Sequence, residues 1–373
     1  MPAGCGLLAV VLVALAAVPS LRPAGWSLTV LPRVDGATGM GAAARRLDPG
    51  FRTVHPAAYD GQFYWGIAVD PIATGDVHRS FDKPTYRYGH PLYGWLGWLF
   101  SAGQARAAPA ALFGVGLASM LAAAAAAACL GVARGRPGWE GLFVALNPGL
   151  LYAGVHDLAE PLSAALLLSG LAAYARHRRP VGVACLALLP LTKEPLVVVP
   201  LALAAWELVR NRRRLLEVAP LLATVVPSVL WWTYARIHLG AWFTTGDTAL
   251  GTPLVGWKRA LLDAGVHSYS PSATLSQSSE ATIVVLISLL AALGLASLAA
   301  LRLRGPVDLI FLPLAVLAAC LAPNATVYLR DALRNTSLLL VLVPFVIASP
   351  PLLPRSRGRR GAGSSRARRP SPT

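Results

Sequence analysis

Charged residues are scarce. Only 13% of the 373 residues are Asp, Glu, Lys or Arg, while 55% are hydrophobic; a soluble globular domain carries roughly 25% charged residues. So little charge, with long apolar stretches recurring from end to end, excludes a single soluble core and points to a polytopic membrane protein. Cysteine is equally thin. Cys5, Cys129, Cys185 and Cys320 lie far apart in apolar stretches with no CxxC pair, so they read as small buried hydrophobes and support neither a disulfide framework nor a zinc site. No Rossmann glycine pattern, Walker sequence or HExxH occurs, which leaves dinucleotide, nucleoside-triphosphate and zinc-protease chemistry without support. Internal repeats of fixed period are also missing. Lysine is limited to Lys83, Lys193 and Lys258; heavy use of Ala and Arg in its place reflects a GC-rich genome rather than function. Acid is short relative to base, with 17 Asp+Glu against 33 Lys+Arg and a net charge of +16.

What is present is a series of apolar segments. A hydrocarbon core about 30 Å thick needs roughly 20 apolar residues in a helix, and only a helix satisfies its own backbone there. The pattern predicts an all-α integral membrane fold of about ten helices, short and Pro-broken ones included, at 5–21, 109–132, 141–155, 161–175, 181–191, 195–209, 218–237, 282–301, 307–321 and 335–348. The first lacks a basic flank and reads as an uncleaved anchor rather than a signal peptide. The alanine run 122–128 reads as close helix packing. The segment 91–100, PLYGWLGWLF, is too short to span and rich in Trp and Tyr, which favour the membrane–water boundary; it is read as an interfacial or re-entrant helix. The short basic loops then share one side: Arg134/Arg136, Arg176/Arg178/Arg179, Arg210/Arg212/Arg213/Arg214, Arg302/Arg304 and the tail after Pro351. The positive-inside rule makes that side cytoplasmic. The layout is a polytopic domain 1–350 with large outward loops 22–108 and 239–281, then a disordered, basic cytoplasmic tail 351–373. Most carboxylates fall outward. The excess positive charge is thus a topology signal suited to anionic membrane lipids, not a sign of a nucleic-acid partner.

An anchoring protein has no need of an 87-residue outward loop dense in aromatics and carboxylates. Asp60, followed by Gly61 and flanked by aromatics, begins a stretch of helical apolar spacing (Phe63, Ile67). A carboxylate there can cap the helix or act as a general base. Asp70, before Pro71, reads as a turn residue. For an anion, Arg offers bidentate contacts that Lys cannot. The outward candidates are Arg87, His90, Lys193, Arg330 and Arg334, against the plainer readings of lipid-headgroup contact for Arg87 and His90, a Lys193–Glu194 pair holding a hairpin, and a solvated Arg330–Asp331 turn. His156, Asp157 and Glu160 form a small acidic cluster at a helix break, either helix-terminal polar residues or part of a metal or acceptor-sugar site. One His and two carboxylates are too few to define a metal site, so no metal ligand is assigned, although a divalent ion remains an open requirement.

The strings YDGQFYWGIAVDP and YRYGHPLYGWL resemble the first outward loop of GT-C-type polytopic glycosyltransferases, and are most similar to bacterial relatives of the GPI mannosyltransferases. Asn147-Pro148 running to Glu160-Pro161-Leu162 resembles the family's Asn-Pro … Ser-Glu-x-Leu hairpin, and Leu191-Thr192-Lys193-Glu194-Pro195 its Leu-Thr-Arg-Pro-Glu-like turn. The three blocks keep the family's order over about 59–200; beyond that only the general layout matches. The chain departs from the pattern before Glu160, where an aromatic and a Ser are common, and in having Glu-Pro for Pro-Glu. The resemblance implies an active site at the outer membrane face beneath the first loop, a polyprenyl-phosphate sugar donor, and a glycan, lipid or protein acceptor. It makes Asp60 the catalytic base of an inverting transfer. Arg87, His90, Lys193, Arg330 and Arg334 are then candidates for the donor phosphate, and Tyr59, Gln62, Tyr64, His156, Asp157 and Glu160 for the acceptor or sugar. The expected location is the plasma membrane, the inner membrane of a bacterium. Two other expectations compete: a transporter or lipid flippase, which should show inverted repeats and midplane charges, and a non-catalytic envelope-assembly protein of the same fold.

Overall fold

In a computed structural model the described residues are 1–56, 58–210, 215–245, 249–263 and 279–347, and among them the chain is helical, with no strand and only two isolated backbone bridges, Asp35 with Val54 and Leu250 with Leu321. The basic loop 211–214, the stretches 246–248 and 264–278 of the second outward loop and the tail 351–373 lie outside the described residues.

Helix α1 (Pro2–Leu21) opens with Pro2 in the first turn, where its missing N–H costs nothing. It is apolar all round and buries the small-residue stripe Cys5, Ala9, Val13 and Ala17. Four short helices follow: α2 (Gly39–Leu47), α3 (Gly61–Val69), α4 (Pro84–Arg87) and α5 (Leu92–Phe100). Then come α6 (Ala108–Ala133), α7 (Glu140–Ala145), α8 (Pro148–Val155), α9 (Glu160–Ala175) and α10 (Arg179–Leu188). The chain continues through α11 (Val198–Arg210), α12 (Leu215–Ala223), α13 (Val226–Leu239), α14 (Val255–Leu262), α15 (Ser279–Ala300), α16 (Pro306–Ala319) and α17 (Leu329–Ile347). Four stretches are long and apolar enough to cross a membrane: Pro2–Leu21, Ala108–Ala133, Val218–Leu239, which runs across the break between α12 and α13, and Glu280–Ala300. Glu160–Ala175, Arg179–Leu191 and Pro306–Ala319 are apolar but shorter.

The alanine run does what its sequence suggests. Ala123, Ala124, Ala126, Ala127 and Ala128 of α6 are buried. The backbones approach so closely that a Cβ on Gly6 would sit 2.9 Å from the Leu121 carbonyl oxygen, and one on Gly141 would sit 2.6 Å from that of Ala124. Small residues permit this packing between membrane helices.

The expected helix 141–155 is instead two. Pro148 cannot donate into the preceding turn, so the chain breaks at Asn147, whose side chain accepts from the Leu150 N–H at 3.0 Å to start α8 and donates from Nδ2 to the Ser337 carbonyl at 3.3 Å. The break therefore also ties α8 to α17. Likewise α17 begins at Leu329, six residues ahead of the expected 335, and so carries Arg330, Asp331 and Arg334 on its first turns.

Two apolar cores result. One joins α1, α6, α9, α11 and α15 to α17, and the other is built from the 34–93 region with the ends of α6, α8 and α9. The first long loop is thus a small folded cap. Helix α3 is its centre, burying Phe63, Tyr64, Trp65, Ile67 and Ala68. Gly61 is required at its start, since a Cβ there would overlap the His156 carbonyl and lie 2.9 Å from that of Pro32. Indole and phenol groups of α13 pin the cap down: Trp231 Nε1 donates to the Tyr88 carbonyl at 2.6 Å, Trp232 Nε1 to that of Gly89 at 2.9 Å, and the Tyr234 hydroxyl to that of Ile72 at 2.9 Å. The segment 91–100 is the helix α5, whose C-terminal end leaves Trp98, Leu99 and Phe100 exposed.

Candidate functional site

A cavity of about 360 Å³ lies on the seam between the two cores. This is within the range of roughly 300–1,000 Å³ typical of small-molecule sites. Its lining combines a charged set, Asp60, Arg87, His90, Glu160, Lys193, Glu194, Asp331 and Arg334, with an apolar set that includes Leu314, Leu317 and Leu321 from α16 and its end and Leu338 and Leu339 from α17.

Asp60 stands at the N-terminus of α3, yet its side chain makes no capping hydrogen bond. Of the two roles its position admits, the cap is not made. The carboxylate instead bridges two guanidinium groups: Arg87 Nη1 donates to Oδ1 at 3.1 Å and Arg334 Nη1 to Oδ2 at 2.9 Å. Burial alone would raise the Asp60 carboxyl, but the charges of Arg334 and Arg87 outweigh it and hold the group well below the usual carboxylate range.

Each arginine has a second carboxylate. Arg87 grips Asp82 through Nε and Nη2, both at 3.1 Å, and its guanidinium lies 3.7 Å from the centre of the Phe63 ring. Arg334 Nε is 3.3 Å from Glu160 Oε1, which Lys193 Nζ also approaches to 2.7 Å. Glu160 is 3% exposed. Buried charges of this kind persist only when paired, and the set reads Asp82–Arg87–Asp60–Arg334–Glu160–Lys193, an unbroken alternation of sign.

The neighbouring residues Lys193 and Glu194 do not pair with each other as expected. Lys193 is extended and Glu194 opens a short 3₁₀ turn (Glu194–Val197), so their side chains diverge. Lys193 goes to Glu160, and Glu194 Oε1 meets His90 Nδ1 at 2.8 Å. A carboxylate oxygen accepts there, so the contact places a proton on His90 Nδ1. Tyr59 hydrogen-bonds Asp331 through its hydroxyl, and the guanidinium groups of Arg334 and Arg330 lie 5.1 and 5.0 Å from the centre of its ring.

Of the candidates named from sequence, Asp60, Arg87, His90, Lys193, Arg334, Tyr59, Tyr64 and Glu160 line this cavity. Gln62, Arg330, His156 and Asp157 do not. The Gln62 side chain accepts from the Asp35 N–H at 3.3 Å, which turns it toward the loop. Arg330 stacks near Tyr59 and Tyr328 outside the cavity. His156 lies flat on Tyr152, ring centres 4.1 Å apart, with Nδ1 2.8 Å from the Tyr152 carbonyl oxygen. Desolvation, then the positive charges of Arg33, Arg330 and Arg334, lower its imidazole to about 3, so it stays neutral at physiological pH. Asp157 has a left-handed backbone (φ 52°), is fully buried, and finds no hydrogen-bond partner for either carboxylate oxygen among the described residues. Burial pushes its carboxyl well up, which favours the protonated form. The three-residue acidic cluster is therefore split: Glu160 faces the cavity and the other two are packed away from it. Among the described residues, no three His, Cys, Asp or Glu side chains gather into a set that would hold a metal ion.

Sequence reasoning missed Asp82 and the His90–Glu194 contact. Asp82 had a local signal, a carboxylate five residues ahead of Arg87 across a turn opened by Pro84. The His90–Glu194 contact joins residues 104 apart and had none.

No protein-family model matches the chain, and no curated protein or solved structure matches it either.

Proposed function

We propose that the chain is an integral-membrane glycosyltransferase that moves a sugar from a polyprenyl-phosphate donor to an extracytoplasmic acceptor hydroxyl on a glycan, lipid or protein, inverting the anomeric carbon, with Asp60 as general base. The observation that carries this reading is that one cavity is lined both by two arginines bridged by a carboxylate and by leucines of α16 and α17. A prenyl phosphate likewise joins an anion to an apolar chain. Arginine suits the phosphate because its fork donates two parallel hydrogen bonds to an oxyanion. The leaving group is already an acidic phosphate, so no strong general acid is needed. The remaining demand is a carboxylate for the acceptor proton and cations for the phosphate charge, and Asp60 between Arg87 and Arg334 meets it. His90, Lys193, Tyr59, Tyr64 and Glu160 complete the donor and acceptor surfaces.

The same proposal places ten crossings in the plasma membrane of a bacterium. The four long apolar helices are joined by short, Pro-broken ones shielded by neighbours. The cap faces outward, α5 lies at the interface and the C-terminus is cytoplasmic. A lipid flippase could use a cavity of this kind but has no need of a carboxylate poised between its phosphate-binding arginines.

The test is sugar transfer from radiolabelled polyprenyl-phosphate sugars in membranes carrying the protein. Arg334→Ala should raise the donor KM by at least tenfold, Arg330→Ala by less than threefold, and Arg304→Ala not at all. Equal effects of Arg334→Ala and Arg304→Ala would remove the phosphate assignment.

A further inference from the structure

We infer that Asp60 occupies the phosphate site of its own cavity, and that a phosphate-bearing ligand binds by displacing it from between Arg87 and Arg334. The inference rests on the lipid-phosphate reading above and adds an order of events to it: donor first, then release of the carboxylate, then proton transfer.

Three observations carry it. The two oxygens of Asp60 divide between the two guanidinium groups, at 3.1 and 2.9 Å, which is how two oxygens of one phosphate would be shared. Second, neither arginine depends on Asp60 for its position: Arg87 keeps both bonds to Asp82, and Arg334 keeps Glu160, itself anchored by Lys193. Asp82 and Glu160 are therefore positioning residues for an anion clamp that stays assembled when Asp60 leaves. Third, Asp60 is the loose member. Its side chain is 35% exposed against 16% for Arg87 and 13% for Arg334, and no capping bond ties it to α3.

The exchange also resolves a chemical conflict. A carboxylate held by two cations is a weak base. When a phosphate draws those cations to itself, the freed Asp60 regains basicity and can take the proton from the acceptor hydroxyl. The acceptor oxygen then bonds to the anomeric carbon as the bond from that carbon to the phosphate oxygen breaks. The electron pair leaves with the prenyl phosphate, whose added negative charge stays on Arg87 and Arg334. The proton on Asp60 passes to water, and departure of the prenyl phosphate lets the carboxylate return.

Loss of the Asp60 charge should therefore tighten phosphate binding even though it stops transfer. The probe is farnesyl phosphate, with farnesol as the control lacking phosphate, titrated into the purified full-length protein in nanodiscs. Asp60→Asn should bind farnesyl phosphate at least fivefold more tightly than wild type, with farnesol binding unchanged. Asp60→Glu, which keeps the charge, should not tighten. Asp60→Ser serves as the second neutral variant where the asparagine variant does not fold. Neutral variants that bind farnesyl phosphate equally or more weakly overturn the inference, as does tightening that extends to farnesol. Wild-type protein that binds farnesyl phosphate no better than farnesol contradicts instead the lipid-phosphate reading beneath it.

Discussion

Arg334→Ala is expected to lower the stability of the detergent-solubilised protein by roughly 3 kcal/mol, a figure at the lower end for breaking a buried ion pair. Arg334 is the cation on which the site converges. It contacts Asp60 at 2.9 Å, lies 3.3 Å from the buried Glu160, and sits near the Tyr59 ring. Without it, among the described residues, Glu160 keeps Lys193 as its ion-pair partner and Asp60 keeps Arg87, so the buried Glu160 charge above all is left under-compensated. Lys193 softens the loss, which is why the lower end applies. Arg334→Lys should recover part of it: the charge returns, but a single ammonium cannot serve Asp60 and Glu160 from the two sides of a planar fork. Thermal unfolding of the three proteins side by side measures this. An unchanged midpoint for Arg334→Ala would mean that the buried Glu160 charge does not depend on Arg334 for its compensation.

Asp60→Asn is expected to reduce transfer by about 10²–10⁴-fold, the usual contribution of a positioned general base, with little change in the thermal midpoint. The amide preserves size and can still accept from one guanidinium, but it cannot take a proton from a hydroxyl. Asp60→Glu should also be impaired, because one methylene shifts the carboxylate out of the gap between Arg87 and Arg334 set by Asp82 and Glu160. Transfer by Asp60→Asn at the wild-type rate would remove Asp60 as the base.

Much of this site could be read from the sequence because its signals are local. Asp60 precedes a glycine that only a close backbone approach explains, and Arg87 and His90 follow within one short helix and turn. Arg334 was placed beside them by the parity of the apolar segments, which put its turn on the same side as the first loop. The failures came where tertiary contacts choose among partners. Lys193 and Glu194 are adjacent in sequence, and adjacency suggested a pair. An extended backbone at Lys193 sent it to Glu160 and left Glu194 to His90. Arg330 and Arg334 are one helical turn apart and both stack near Tyr59, yet only Arg334 lines the cavity. His156, Asp157 and Glu160 looked like one cluster by spacing, but the left-handed turn at Asp157 sends the three side chains to different surroundings. The helical class was legible from composition and hydropathy. The signal for the splitting of 141–155 is Asn147-Pro148, and the apolar run that continues through it masks the break.

A prenyl phosphate bound as proposed has its charge at Arg87 and Arg334 and its chain along α16 and α17. Photolabelling in nanodiscs tests that placement most directly, with a farnesyl phosphate carrying a photoreactive diazirine on the chain, followed by peptide mapping. Adducts are expected on the cavity-lining segments around Leu314–Leu321 and Leu338–Leu339, suppressed by excess unlabelled farnesyl phosphate and lost in Arg334→Ala. Adducts confined to the lipid-facing sides of α1 and α15, and indifferent to competitor, would contradict that placement.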